Sequence, residues 1–183
     1  WINEAIDDHT PERASMYRIK RNGDRVFGWQ IDDYTWYKVC SPEMYHKETE
    51  AAAGAFDNMS WDHFDVLTCA SIGECYALDH KSHHGRPMGR AEDLAWLRKT
   101  LVAGQAMANR KNAVSSENFN DLFSLEYDIG SVKAWPQYGP WIFWPVPLTS
   151  LVYHDSIIHS WWELHSYNSN YCNRSWPDYF EYG

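Results

Sequence analysis

Two short apolar runs that each meet a carboxylate constrain this chain most. Residues 63–69 read HFDVLTC and contain Asp65; residues 112–118 read NAVSSEN and contain Glu117. Between them, residues 91–110 carry apolar side chains at helical spacing. Leu94, Leu97, Leu101 and Val102 form the expected buried stripe, and Glu92 and Asp93 suit the first turn. A strand, a crossover helix and a second strand make a βαβ unit, whose two strands run parallel. Parallel strands deliver their C-terminal ends to one side of the sheet, where chemistry collects.

The rest of the chain extends this alternation. Residues 17–29 predict a hairpin around a type I′ turn at Asn22-Gly23. YKVC (37–40) predicts a short strand. Ser41 then suits an N-cap and Pro42 the first position of a helix running to about Phe56. Residues 70–89 predict a long polar loop, SVKAW (131–135) a short strand, and VPLTSLVYHD (146–155) a third apolar strand ending in a polar pair. Residues 156–183 read as an aromatic-rich loop region. Three strands running into polar residues favour an α/β fold with a common mouth, a partial (β/α)8 barrel of the TIM type, over the alternative of a doubly wound sheet. A complete barrel takes about 250 residues. The 183 residues are therefore expected to be a fragment of one catalytic domain, with 17–29 as a hairpin insertion. The remaining barrel strands of the full-length chain would be its first partners, since unpaired strand edges invite association.

Charge and composition narrow the function. A net charge of −9 without a basic stripe excludes a nucleic-acid partner. No run of about 18 apolar residues predicts a membrane span. Cys40, Cys69, Cys75 and Cys172 contain no CxxC pair. They read as buried free thiols rather than a disulfide framework or a zinc ribbon, although Cys69 and Cys75 could meet around a loop. Neither a GxSxG elbow nor a Gly-rich phosphate loop occurs. The 11 Trp, 12 Tyr and 7 Phe crowd beside turn residues, which favours a carbohydrate partner over a nucleotide.

Two carboxylates at the ends of parallel strands are the minimum equipment for glycoside hydrolysis. One attacks the anomeric carbon and the other protonates the leaving oxygen. The plainer role for Asp65 or Glu117 is to cap a loop or helix. His80, His83 and His84 share a loop with Glu74 and Cys75, and His154, Asp155, His159 and His165 group later. HxxHH is not a recognised ligand spacing and no HExxH occurs, so a metal-dependent hydrolase on a barrel is the second reading. His154 and Asp155 suit sugar hydroxyls better, or a plain hydrogen-bonded pair. Among Trp135, Trp141, Trp144, Trp161 and Trp162, the last two follow that pair most closely, and Trp161 is the candidate to stack on a sugar ring.

At these residues the chain resembles a known group. HFDVLTC followed across a helix by AVSSEN is similar to the catalytic core of the endo-α-N-acetylgalactosaminidase-like glycoside hydrolases, over residues 35–165. ECYALDH, with Glu74, Asp79 and His80, resembles the loop after their nucleophile strand. The resemblance implies a (β/α)8 catalytic domain that cleaves an α-glycosidic bond with retention. It implies Asp65 as nucleophile and Glu117 as acid/base. Glu74, His80, Asn118, His154, Asp155 and Trp161 would surround a carbohydrate or glycoconjugate substrate. The implied mechanism needs no metal and no organic cofactor. SSENFND departs from the tryptophan-glycine context that follows the acid in the best-known members, and the loop after Asp65 is longer and richer in histidine. A non-catalytic carbohydrate-binding relative is the third reading.

Overall fold

The structure is a computed structural model that describes residues 5–7, 11–49, 61–64, 66–68, 71–106, 113–116, 120–126, 128–132 and 148–161. It holds two sheets. Strands β1 (Ala5–Asp7), β2 (Phe27–Ile31) and β3 (Tyr34–Lys38) form an antiparallel sheet in the order β1-β3-β2. Strands β4 (Trp61–Phe64), β5 (Ala113–Ser116), β6 (Ile129–Val132) and β7 (Ile158–Trp161) form a parallel sheet in sequence order. Three α-helices are described: α1 (Ser41–Met44), which continues as a π-helical turn over Tyr45–Thr49, α2 (Arg90–Ala106) and α3 (Leu148–Tyr153). This is the expected α/β class with a parallel sheet. No described helix is long and apolar enough to cross a membrane.

The unit β4-α2-β5 is the predicted βαβ, and its packing follows from side-chain period. Leu97 and Leu101 turn inward and join Phe64, Val114, Leu67 and Phe123 in the core. Each such burial contributes about 1.5–3 kcal/mol. Val102 departs from expectation and is 50% exposed, because at 100° per residue it falls nearly opposite the middle of the buried stripe. The inward face also carries Asp93, Thr100 and Gly104. At its start, Gly89 N donates to Glu92 Oε2 at 3.1 Å, one limb of a capping box.

Gly104 sets how closely α2 approaches the sheet. A Cβ there would lie 2.6 Å from Phe64 Cε2 and 2.7 Å from Cζ. The Phe64 ring is itself core and has nowhere to move. Gly104→Ala is therefore expected to destabilise the fold by about 1–3 kcal/mol, despite a helix-propensity gain of about 1 kcal/mol. Urea unfolding checks the sign.

The hairpin forms, with a different turn. Val26 N donates to Arg18 O at 2.8 Å and Gly23 N to Lys20 O at 3.0 Å. The latter bond puts Arg21 and Asn22 at the turn centre. Among the described residues Gly23 has positive φ (+90°) and Asn22 does not. A type I′ turn needs both central residues at positive φ, so this is instead a type I turn closed by a left-handed glycine. Ser41 is not the N-cap of α1. Cys40 occupies that position, and the Ser41 hydroxyl donates to Asp93 Oδ1 at 2.6 Å.

Two strand expectations are corrected. Strand β4 begins at Trp61 and ends at Phe64, and residues 66–68 turn. Residues 148–153 are helix α3, not a strand. A short apolar run has no period that separates the two. The strand comes later, as β7, inside a region expected to be loop.

Candidate functional site

At the C-terminal edge of the parallel sheet, β4 and β5 each end one residue before a predicted acid. Asp65, Glu117 and Asn118 lie outside the described residues, but the residue preceding each acid is described. Phe64 and Ser116 are register partners at the ends of adjacent parallel strands. The buried Ser116 hydroxyl donates to Phe64 O at 2.6 Å and accepts from Thr68 N at 3.3 Å. One side chain thus ties the backbone on either side of position 65. Val66 has a φ of +58°. For a β-branched residue this left-handed conformation costs about 1–3 kcal/mol, and such strain clusters at functional sites. Leu67 and Thr68, both buried, hold the turn in place. Ser116→Ala removes a partner from a buried N–H and a buried carbonyl, for an expected loss of about 1–3 kcal/mol in chemical unfolding.

Alternation along β4 and β5 separates two faces. Phe64 and Val114 meet α2. On the other face, Trp61 Nε1 donates to Ser115 Oγ at 2.8 Å, and His63 Nδ1 lies 2.8 Å from the same oxygen. Having accepted from Trp61, the hydroxyl has its own proton left for His63 Nδ1. Sequence reasoning did not single out Trp61, His63 and Ser115; the alternation in WDHF and AVSS was the available signal.

The other expected substrate contacts scatter. Glu74, at 45% side-chain exposure, accepts from Tyr76 Oη at 2.9 Å and pairs loosely with Arg90 Nε at 3.8 Å. That hydrogen bond raises the Tyr76 pKa. His154 and Asp155 form an exposed pair, Nε2 to Oδ1 at 3.0 Å. Because residues 148–153 are helical, this pair sits in the turn before β7, at the N-terminal edge of the sheet. Trp161 ends β7 at the C-terminal edge. Trp135, Trp141, Trp144, Trp162 and His165 lie outside the described residues.

His80 belongs to a different grouping. Cys40, Cys75, His80 and His83 are all buried, and one ligand atom from each lies within 4.8 Å of every other. Cys40 Sγ is 3.1 Å from His83 Nε2, and Cys75 Sγ is 3.8 Å from His80 Nδ1. His83 Nδ1 is 2.6 Å from Ala77 O. Ile19 N donates to Cys75 Sγ at 3.4 Å. A hydrogen bond from Cys40 pulls the Cys75 thiol down to about 4, against the effect of burial, and the same bond pushes Cys40 up. Burial works against a charged His80, but its contact with Cys75 carries its pKa above the ordinary value. Of the four cysteines, Cys69 and Cys172 lie outside the described residues, and Cys40 and Cys75 are buried and free, as their spacing suggested. Their convergence with two histidines was not visible in that spacing, because Cys40 comes from a separate segment.

No protein-family model matches the chain, and no curated protein matches it. Solved structures do. The chain is similar to the α-N-acetylgalactosaminidase NagBb from Bifidobacterium bifidum in its quadruple-mutant form, at 22% identity and a TM-score of 0.59, over 78% of this chain and 23% of that one. The ligand-free form of the same enzyme gives 21% identity and a TM-score of 0.59, over 78% and 24%. Its GalNAc complex gives 21% and 0.57, over 78% and 23%. At these identities the likeness is one of fold, and the chain spans about a quarter of the length of the structures it matches.

Proposed function

We propose that this chain is part of a (β/α)8 glycoside hydrolase that cleaves α-linked N-acetylgalactosamine with retention, Asp65 acting as nucleophile and Glu117 as acid/base. One observation carries the reading: β4 and β5 end side by side at Phe64 and Ser116, the residues bonded to these two acids. Neighbouring strands stand about 4.8 Å apart. Acids one residue further along can then present carboxyl groups about 5–5.5 Å apart, the separation of a retaining pair, rather than the roughly 6.5–9.5 Å that admits an inverting water.

Three further points support it. The parallel strands keep sequence order, as successive strands of a barrel do, with no reversal among those described. The strained Val66 adjoins Asp65. The solved structures reported above are forms of one α-N-acetylgalactosaminidase, one of them in complex with GalNAc. In this reading Trp161, whose strand ends at the same sheet edge, stacks on a ring, and Asn118 and Glu74 meet hydroxyls. His154 and Asp155 precede β7 at the opposite edge, and His80 is buried against Cys75, so neither is included.

In the mechanism Asp65 attacks the anomeric carbon as Glu117 protonates the departing oxygen. Glu117, now ionised, then takes a proton from the water that hydrolyses the glycosyl-enzyme. Glu117→Gln in the complete polypeptide should slow hydrolysis of a sugar leaving group by roughly 10²–10⁴-fold. An aryl glycoside with an acidic phenol leaves without help and should lose far less from its first step. Equal losses on both would remove the acid role. The first product anomer, followed by proton NMR, should be α; a β anomer would establish inversion.

A further inference from the structure

We propose that Cys40, Cys75, His80 and His83 bind one zinc ion in a closed, four-coordinate site that fastens the 71–89 loop to the start of α1. Zinc takes sulfur at about 2.3 Å and nitrogen at about 2.0–2.1 Å, so tetrahedral ligand atoms stand about 3.3–3.8 Å apart. Two of the Cys–His pairs, Cys40–His83 at 3.1 Å and Cys75–His80 at 3.8 Å, bracket that range, and all four atoms already lie within 4.8 Å of one another. Two thiolates and two neutral imidazoles cancel a double positive charge, so the filled site is neutral where it is buried. Thiolate and imidazole suit zinc, whereas calcium and magnesium need oxygen ligands.

The surroundings aim the ligands. Ala77 O can only accept, so His83 Nδ1 carries a proton and leaves the Nε2 lone pair facing Cys40, the outer hydrogen bond typical of a metal-bound histidine. The Ile19 N–H approaches Cys75 Sγ from outside the group. The loop is held on α1 by Glu43, whose Oε1 accepts from Ser82 Oγ at 2.6 Å, and is paired across itself by Cys75 and Met88. Ala77, Met88, Ile19 and Trp96 pack around the two cysteines and exclude solvent. Four protein ligands leave no position for substrate, so the ion is structural and is not a hydrolytic centre. On binding, the protons that the two cysteines and His80 still carry pass to solvent and no redox change occurs.

The test uses the complete, untagged polypeptide purified under reducing conditions without chelator. Elemental analysis should find one zinc per chain. Replacement by cobalt(II) should give thiolate charge-transfer bands and the intense visible bands of a tetrahedral site. Cys75→Ser and His83→Ala should each lose the ion. Because these variants could misfold, the unaltered protein supplies the second readout. Iodoacetamide labelling of Cys40 and Cys75, mapped by mass spectrometry, should speed up by roughly tenfold or more once a strong chelator strips the ion. Three results would overturn the site. The reduced protein takes up neither zinc nor cobalt; Cys40 and Cys75 form a disulfide whose reduction restores no uptake; or metal is present while both cysteines label equally with and without it.

Discussion

Substitution of Asp65 by asparagine in the complete polypeptide will lower glycoside turnover by about 10⁴-fold or more and leave the unfolding transition in place. The amide keeps the shape of the carboxylate and cannot attack the anomeric carbon. The local fold does not depend on the lost charge, because the flanking backbone is held by Ser116, through Phe64 O and Thr68 N. The smaller Asp65→Gly offers a sharper reading. It opens a space in which azide can attack the anomeric carbon from the vacated side, so turnover of an aryl α-glycoside should recover and give a β-glycosyl azide. Wild-type-like activity in Asp65→Asn would reject the nucleophile assignment, and a rescue product of α configuration would place the nucleophile elsewhere.

The second large effect is on stability. Asp93 is fully buried in the first turn of α2 and accepts four hydrogen bonds. Arg18 Nη2 lies 2.8 Å from Oδ1 and 3.0 Å from Oδ2, Ser41 Oγ is 2.6 Å from Oδ1, and Gly73 N is 2.8 Å from Oδ2. These bonds join the hairpin, α1, the 71–89 loop and α2. Asp93→Ala leaves the nearly buried Arg18 charge without its partner and should cost about 3–5 kcal/mol. The penalty comes mainly from that stranded charge, not from the net strength of the pair. A double variant, Arg18→Met with Asp93→Leu, should therefore be less destabilised than Asp93→Ala alone. Urea unfolding of both variants decides it. A loss below about 1 kcal/mol in Asp93→Ala would mean that water reaches the guanidinium and the pair behaves as a surface bridge.

The sequence made different parts of this molecule legible to different degrees. Helix α2 was readable because its apolar residues recur over several turns, and the hairpin because Asn-Gly marks a reversal. The turn type was not readable, since the hydrogen bond between Lys20 and Gly23 depends on how the two arms pair. Helix α3 was misread because six residues cannot display a period, and that error moved His154 and Asp155 to the wrong edge of the sheet. The sequence put Asp65 within an expected strand and Glu117 at the end of another; β4 instead stops at Phe64, in register with Ser116, so each strand ends one residue before its acid. Asp93 was expected to serve the helix dipole. Its burial opposite Arg18 is a tertiary fact that no local pattern encodes. The Cys–His group was hidden for the same reason: one ligand precedes β4 and three follow it.

The order of the parallel strands also bears on how the chain is made. A ribosome releases residues from the N-terminus onward, and here each of β5, β6 and β7 emerges to find its neighbour already synthesised. Arg18, Cys40, Ser41, Gly73, Cys75, His80, His83 and Asp93 all precede position 117. The groups around β4 are therefore all synthesised before Glu117. The strand that leads to Asp65 thus has every one of these partners in the growing chain before the second carboxylate of the proposed pair is added.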